Sequence, residues 1–275
     1  MARASHEVTN VFAAPRVAWP TLGVFAGACA LWLLSLWGAA SGRAPASLTV
    51  PMAALAAYVA FTPLHEAVHR AVSRSPLLNG AVGRISALLL LSPFPVAKQL
   101  HLEHHRFTND PERDPDVWSG RGPTWVLPLR WATQDLHYYW RFLRSLRTED
   151  PRTLLESLVT SGLEVGLFAL ACALGHGGFV LLQVVLPARL AILCLAFSFD
   201  YLPHSPYTVT AAQDRYRTTR IFDSALLNVV LLGQSYHLIH HLYPAVPFYR
   251  YRALWERQRA MLLSHGTRVV GGSGH

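Results

Sequence analysis

The chain has 275 residues, of which 52% are apolar and only 15% charged, yet its net charge is +8. A typical soluble domain is about a quarter charged, so this composition argues against an ordinary soluble protein, and the length suits a single domain over 1–275. Lys98 is the only lysine, and Cys29, Cys172 and Cys194 each stand alone in apolar runs, which argues against a disulfide framework or a cysteine metal site and favours small packing residues.

Residues 17–40, VAWPTLGVFAGACALWLLSLWGAA, carry no charge and exceed the about 20 residues that cross a bilayer. A secretory signal would have a shorter apolar core. A second apolar run, 48–64, follows after the short loop SGRAPAS, which predicts a helical hairpin. A second hairpin is expected at 155–175 and 178–202, joined by GHGG. Glu156, Glu164 and Arg189 fall within these last two runs, and ionisable groups at such depth face a protein interior or lie near an interface.

Orientation is read from the arginines. Residues 70–153 hold 12 of the 24 Lys and Arg, the segment after 202 holds 8, and the hairpin loops hold only Arg43. The positive-inside tendency therefore puts both termini and the middle segment in the cytoplasm, with both hairpins dipping in from that side.

The 14 histidines are unevenly spread. HEAVH supplies His65 and His69 just after the second apolar run, and HLEHH supplies His101, His104 and His105. YLPH supplies His204, and HLIHH supplies His237, His240 and His241. On a helix, positions three and four apart share a face, so each cluster can aim several imidazoles at one space. Two H-x-x-H-H clusters arise by chance roughly once in a thousand such compositions, the false-positive rate against which a motif is weighed. Nine neutral nitrogen donors exceed the four ligands of a tetrahedral zinc and suit two metal ions. Imidazole alone does not select among iron, zinc, copper and nickel.

HEAVH also matches the zinc-protease pattern in which the glutamate acts as base. That reading uses two of the nine histidines and leaves two complete clusters idle. A metal transporter would place ionisable residues along the spans, whereas these lie at their cytoplasmic ends. His176 in the GHGG turn, His6, His265 and His275 in polar tails, and His137 on an amphipathic aromatic and basic segment lack spaced partners and are not expected to be ligands.

H-x3-H, H-x2-H-H and H-x2-H-H in this order, between two membrane hairpins, resemble the three histidine boxes of the membrane fatty acid desaturase superfamily. The likeness runs over about 50–255. It implies an all-α integral membrane fold of four transmembrane helices in two hairpins, with a cytoplasmic helical cap holding a di-iron histidine cluster. It also implies an oxidoreductase that uses dioxygen as co-substrate and two electrons to oxidise an unactivated C–H bond of a lipid. By that resemblance the two irons are held by His65, His69, His101, His104, His105, His237, His240 and His241, with His204 as a ligand outside the boxes and no separate catalytic side chain. HLEHHRFTNDPERDPD, FDYLPHSPY and GQSYHLIHHLYPAVPFYRY are most similar to the cyanobacterial-type β-carotene hydroxylases, which implies hydroxylation of a carotenoid ring. Acyl-lipid desaturation and carotene ketolation are the alternatives.

Metal-bound imidazoles usually donate their outer N–H to a carboxylate or carbonyl. Asp110, Asp114 and Asp116 follow the second box, where Pro111 and Pro115 stiffen the turn; a solvated acidic loop is the plainer reading. Asp200, four residues before His204, lies where some family members place an asparagine near the metal, and Asn228 reads as an amphipathic-helix residue. No dinucleotide, haem or cysteine-cluster motif is present in the sequence, so electrons are expected from an external donor, a ferredoxin or similar acidic carrier steered by the basic face. That face would equally attract anionic headgroups. The membrane and a carotenoid or acyl lipid are the other expected partners, in a bacterial inner membrane, and nucleic acid is not.

Overall fold

The computed structural model describes residues 12–146 and 150–271. It is mostly helical, and four of its helices are long and apolar enough to cross a membrane: α1 (Trp19–Ala40), α2 (Ala46–Val68), α6 (Pro151–Ala173) and α7 (Gly177–His204). Between α2 and α6 lie α3 (Pro76–Leu88), α4 (Phe94–Phe107) and α5 (Gln134–Ser145). After α7 come a one-turn helix Ala225–Val230, α8 (His237–Leu242) and α9 (Tyr251–Ser264).

Small side chains set the central packing. Ala53, Ala56, Ala57 and Ala60 recur three and four apart on α2 and are at most 1% exposed. They let Ala188, Ala191 and Leu195 of α7 come close, as small residues do between membrane helices. The outer faces show the reverse of a soluble protein. Leu155, Leu158, Leu163, Leu167 and Leu170 of α6 are all exposed, which suits lipid as the solvent of that face. The chain is thus an integral membrane protein by composition and by its exposed apolar surface.

Of the ionisable residues of the second hairpin, Glu156 and Arg189 have partners at its edges, whereas Glu164 Oε1 is buried without one among the described residues. Arg84 donates two hydrogen bonds of 2.7 Å to Glu156, and Arg189 donates from both terminal nitrogens to Asp135 at the start of α5. The second of these pairs ties α5 to the membrane helix α7.

The predicted spans are all found, with shifted ends. The run expected over 48–64 extends to Ala46–Val68, so His65 sits within the last turn of α2 and His69 caps it. The run expected over 155–175 starts at Pro151, where Asp150 accepts a hydrogen bond from the Thr153 amide. Hydropathy ended the second run at polar residues, but His65 and Glu66 are buried within the protein. One departure from all-α is a short parallel pair, β1 (Arg220–Phe222) with β2 (Arg268–Val270). Its inner side joins a core of Ile221, Tyr236, Leu238, Ile239, Leu254 and Trp255 that supports α8.

Candidate metal centre

Four helices deliver the nine predicted histidines to one place: the end of α2, the middle and end of α4, the last residue of α7, and α8. The rings separate into two groups. His65, His69, His101, His105 and His240 form one; His104, His204, His237 and His241 form the other. In each, the ring nitrogens facing inward lie within 4.8 Å of one another. Although His101, His104 and His105 share one helix, His104 turns to the other group.

The inward nitrogens meet at close range. His69 and His101 Nε2 are 2.8 Å apart, His105 and His240 Nε2 2.8 Å, His204 and His237 Nε2 3.1 Å, and His237 and His241 Nε2 3.1 Å. Only one nitrogen of such a pair can carry the shared proton. His65 is 1% exposed, and neither of its nitrogens has a hydrogen-bond partner. Buried lone pairs converging without enough donors are what a cation satisfies, so the donor set fits a metal ion in each group.

The outer nitrogens are held by the protein. His104 Nδ1 lies 2.9 Å from Asp114 and 3.2 Å from Asp116. His204 Nδ1 meets Asn109 Oδ1 at 3.1 Å, His237 Nδ1 meets Gln234 Oε1 at 2.8 Å, and His240 Nδ1 meets the Tyr251 hydroxyl at 3.0 Å. These contacts fix each ring so that the other nitrogen points inward. Gly233 makes the approach to the third box possible: its φ is +84° and a Cβ there would lie 2.7 Å from the Phe248 carbonyl.

Electrostatics keep most of the rings neutral, the form that binds metal. Burial first, then the neighbouring ring of His104, pushes His69 and His237 down to about 3. Burial, and after it the surrounding imidazoles, pushes His101, His105, His240 and His241 well below the usual range. For His104 burial also works against the charged ring, but the Asp114 and Asp116 carboxylates outweigh it and raise it to about 9.

Three expectations about carboxylates resolve differently. Asp114 and Asp116 do reach a box histidine. Asp110 does not: its carboxylate accepts from the amides of Glu112 and Arg113 and from the Arg113 guanidinium, which makes it a turn residue. Asp200 is in none of the metal-competent groups among the described residues, and lines the adjoining cavity. Glu66 answers the HEAVH question. It is 1% exposed, and its two oxygens accept from the Thr21 hydroxyl on α1 and from the Phe248 amide. It is a structural tie between the first hairpin and the loop after the third box, with both oxygens engaged.

The remaining described histidines stay apart from both groups. His137 stacks on Trp118 with ring centres 4.5 Å apart, His265 packs on Tyr216, and His176 lies in an exposed turn. His6 and His275 lie outside the described residues, and Asn228 lies on the one-turn helix Ala225–Val230.

A cavity opens beside the histidines. It is lined by Phe61, Leu64, Leu90, Ile192, Leu195 and Phe199, by His65, His101, His104 and His237, and by the polar residues Asp116, Gln134, Tyr138 and Asp200.

The family profile described as Fatty acid desaturase matches residues 41–272. This chain belongs to the fatty acid desaturase family. Among curated proteins it is 30% identical to a beta-carotene ketolase from a Paracoccus species, over 69% of this chain and 71% of that protein. It is 26% identical to the dihydrorhizobitoxine desaturase of Bradyrhizobium elkanii, over 68% of this chain and 60% of that protein. A shorter match, 28% identical over 32% of this chain and 31% of the relative, is to an sn-1 oleoyl-lipid 12-desaturase of Picosynechococcus. Family and relatives make the chain an oxidoreductase of the oxidase and desaturase kind, with histidine groups able to hold metal.

Proposed function

We propose that the chain is a membrane di-iron oxygenase that hydroxylates a ring carbon of a carotenoid. The observation that carries the proposal is the cavity lined both by apolar side chains and by histidines of both groups. The carotenoid assignment is supported by the likeness to beta-carotene ketolases and by the YLPH and third-box segments of the sequence.

His65, His69, His101, His105 and His240 would hold one iron, and His104, His204, His237 and His241 the other. Bound there, the irons would supply dioxygen activation and removal of hydrogen from an unactivated carbon. The balance is one C–H bond and dioxygen, with two electrons and two protons, giving an alcohol and water. The chain's own residues position and exclude. Phe61, Leu64, Ile192 and Phe199 keep water from the reacting carbon and hold the hydrocarbon against His65, His101 and His237. Asp114, Asp116, Asn109, Gln234 and Tyr251 hold the ligand rings in orientation.

Electrons would come from a ferredoxin or similar acidic carrier docking on the basic face, which we place in the cytoplasm of a bacterial cell with both termini. The test is expression in a bacterial host that accumulates β-carotene, with a ferredoxin system present, followed by chromatography of pigments and fatty acids. Hydroxylated carotenoid is expected. A keto product would reassign the chain to ketolation, and unchanged pigment with a new acyl double bond would overturn the carotenoid reading.

A further inference from the structure

One wall of the cavity is polar where a hydrocarbon substrate would need it apolar. Gln134, the first residue of α5, is 3% exposed and lines the cavity together with Asp116, Tyr138 and Asp200. The oxygen of its amide, Oε1, has no hydrogen-bond donor among the described residues. The Tyr138 hydroxyl beside it donates its own proton to Asp116, so its oxygen can accept from Nε2 but it has no proton left for Oε1. Asp200 contributes a carboxylate for which the described residues offer no hydrogen-bond donor; only its backbone carbonyl is engaged, by Tyr207.

The position of Gln134 is fixed from behind. The next residue, Asp135, is held by both terminal nitrogens of Arg189 on α7. The start of α5 is thereby anchored to the membrane helix that also lines the cavity through Ile192, Leu195 and Phe199. This lining residue therefore sits on an anchored helix start, not on a loop.

A buried amide oxygen left without a donor is unfavourable, and a purely hydrocarbon occupant would leave it so. A hydroxyl on the substrate satisfies the amide oxygen by donating to Oε1. We propose that Gln134 is a specificity-determining residue that binds an oxygen substituent on the reacting end of the substrate, so that the chain prefers a ring already bearing a hydroxyl to a bare one. This rests on the carotenoid reading above and names the substrate class within it.

A carotene with one hydroxylated ring and one bare ring places both options in one molecule, so uptake and delivery are identical for the two. Purified, iron-loaded protein with a ferredoxin system is given this substrate, and mass spectrometry of the products locates the new oxygen. The expected result is oxidation of the already hydroxylated ring by at least about 10-fold over the bare ring, the discrimination that one lost hydrogen bond to a buried group supports. Gln134→Leu is expected to bring the ratio near one, and Gln134→Glu, which keeps an acceptor, to retain most of the preference. A wild-type ratio near one, or in favour of the bare ring, would overturn the proposal without need of any variant. So would an unchanged preference in Gln134→Leu. If neither ring is oxidised while the iron is retained, the carotenoid reading itself fails and this proposal with it.

Discussion

His104 Nδ1 sits 2.9 Å from the Asp114 carboxylate, both side chains being at most 1% exposed. Its opposite nitrogen, Nε2, lies 3.3 Å from His241 Nε2. One ring therefore links the acidic turn after the second box to the third box at the far end of the chain. Asp114 also accepts from the Asn109 and Asp116 amides, so the turn is built around the same carboxylate that orients the ring.

The two neighbouring acids should behave differently when neutralised. Asp114→Asn is expected to weaken metal binding by about 10–100-fold, the usual loss when an outer partner of a ligand is removed. Asp110→Asn, on an exposed turn paired only with Arg113 and backbone amides, should leave it within about 2-fold, as surface ion pairs contribute little. Metal retention against a graded chelator series measures both. Equal losses in the two variants would contradict the assignment.

Glu66 should act on stability and not on chemistry. Glu66→Ala strands the Thr21 hydroxyl and the Phe248 amide, at about 1–3 kcal/mol for each buried group. Glu66→Gln keeps acceptor capacity and should lose less. Thermal unfolding followed by tryptophan fluorescence is expected to rank wild type, Gln and Ala in falling order, with bound metal retained in the Gln variant. Complete loss of turnover in Glu66→Gln with metal content and unfolding temperature unchanged would revive the general-base reading.

The histidine spacing made the nine candidate donors legible, because three- and four-residue separations constrain which rings share a helix face. Their division into five and four was not, since it depends on how α4 sits between α2 and α8. His104 turns away from His101 and His105 for a reason found ten residues on, at Asp114. Among the outer partners, Gln234 lies three residues before His237 and could have been found by the same spacing rule. Asn109 reaches His204 across 95 residues, and Tyr251 lies beyond a loop from His240, so neither has a local signature. The β1–β2 pair escaped for a similar reason, being three residues long and joined across the whole third-box segment. The spans were plain from hydropathy, but their ends were not, because buried histidines look polar to an index that cannot tell protein from lipid surroundings.

Acid should destabilise the metal-free protein. An unfolded histidine titrates near 6.5, whereas His237 is held down at about 3 in the fold. Between those values the unfolded state binds the extra proton, so stability falls as pH drops below about 6.5, by up to about 1.4 kcal/mol per pH unit for this ring. His104 has the opposite sign. Raised to about 9, its contribution is fully present below about 6.5 and is lost as pH rises through its folded value. Unfolding temperatures of metal-stripped protein in detergent should decline from neutral pH toward about pH 5, with a shallower acid decline in His237→Gln. A flat profile through that range would show that these rings are not held neutral.

The central claim is that nine histidines form two metal sites, and metal stoichiometry tests it most directly. Purified protein, expressed with iron and loaded anaerobically, should carry two irons per chain and little zinc. His65→Ala and His204→Ala, one from each group, should each lower the iron content and abolish oxidation. A single bound metal per chain, zinc in place of iron, or full iron content in both variants would contradict the account.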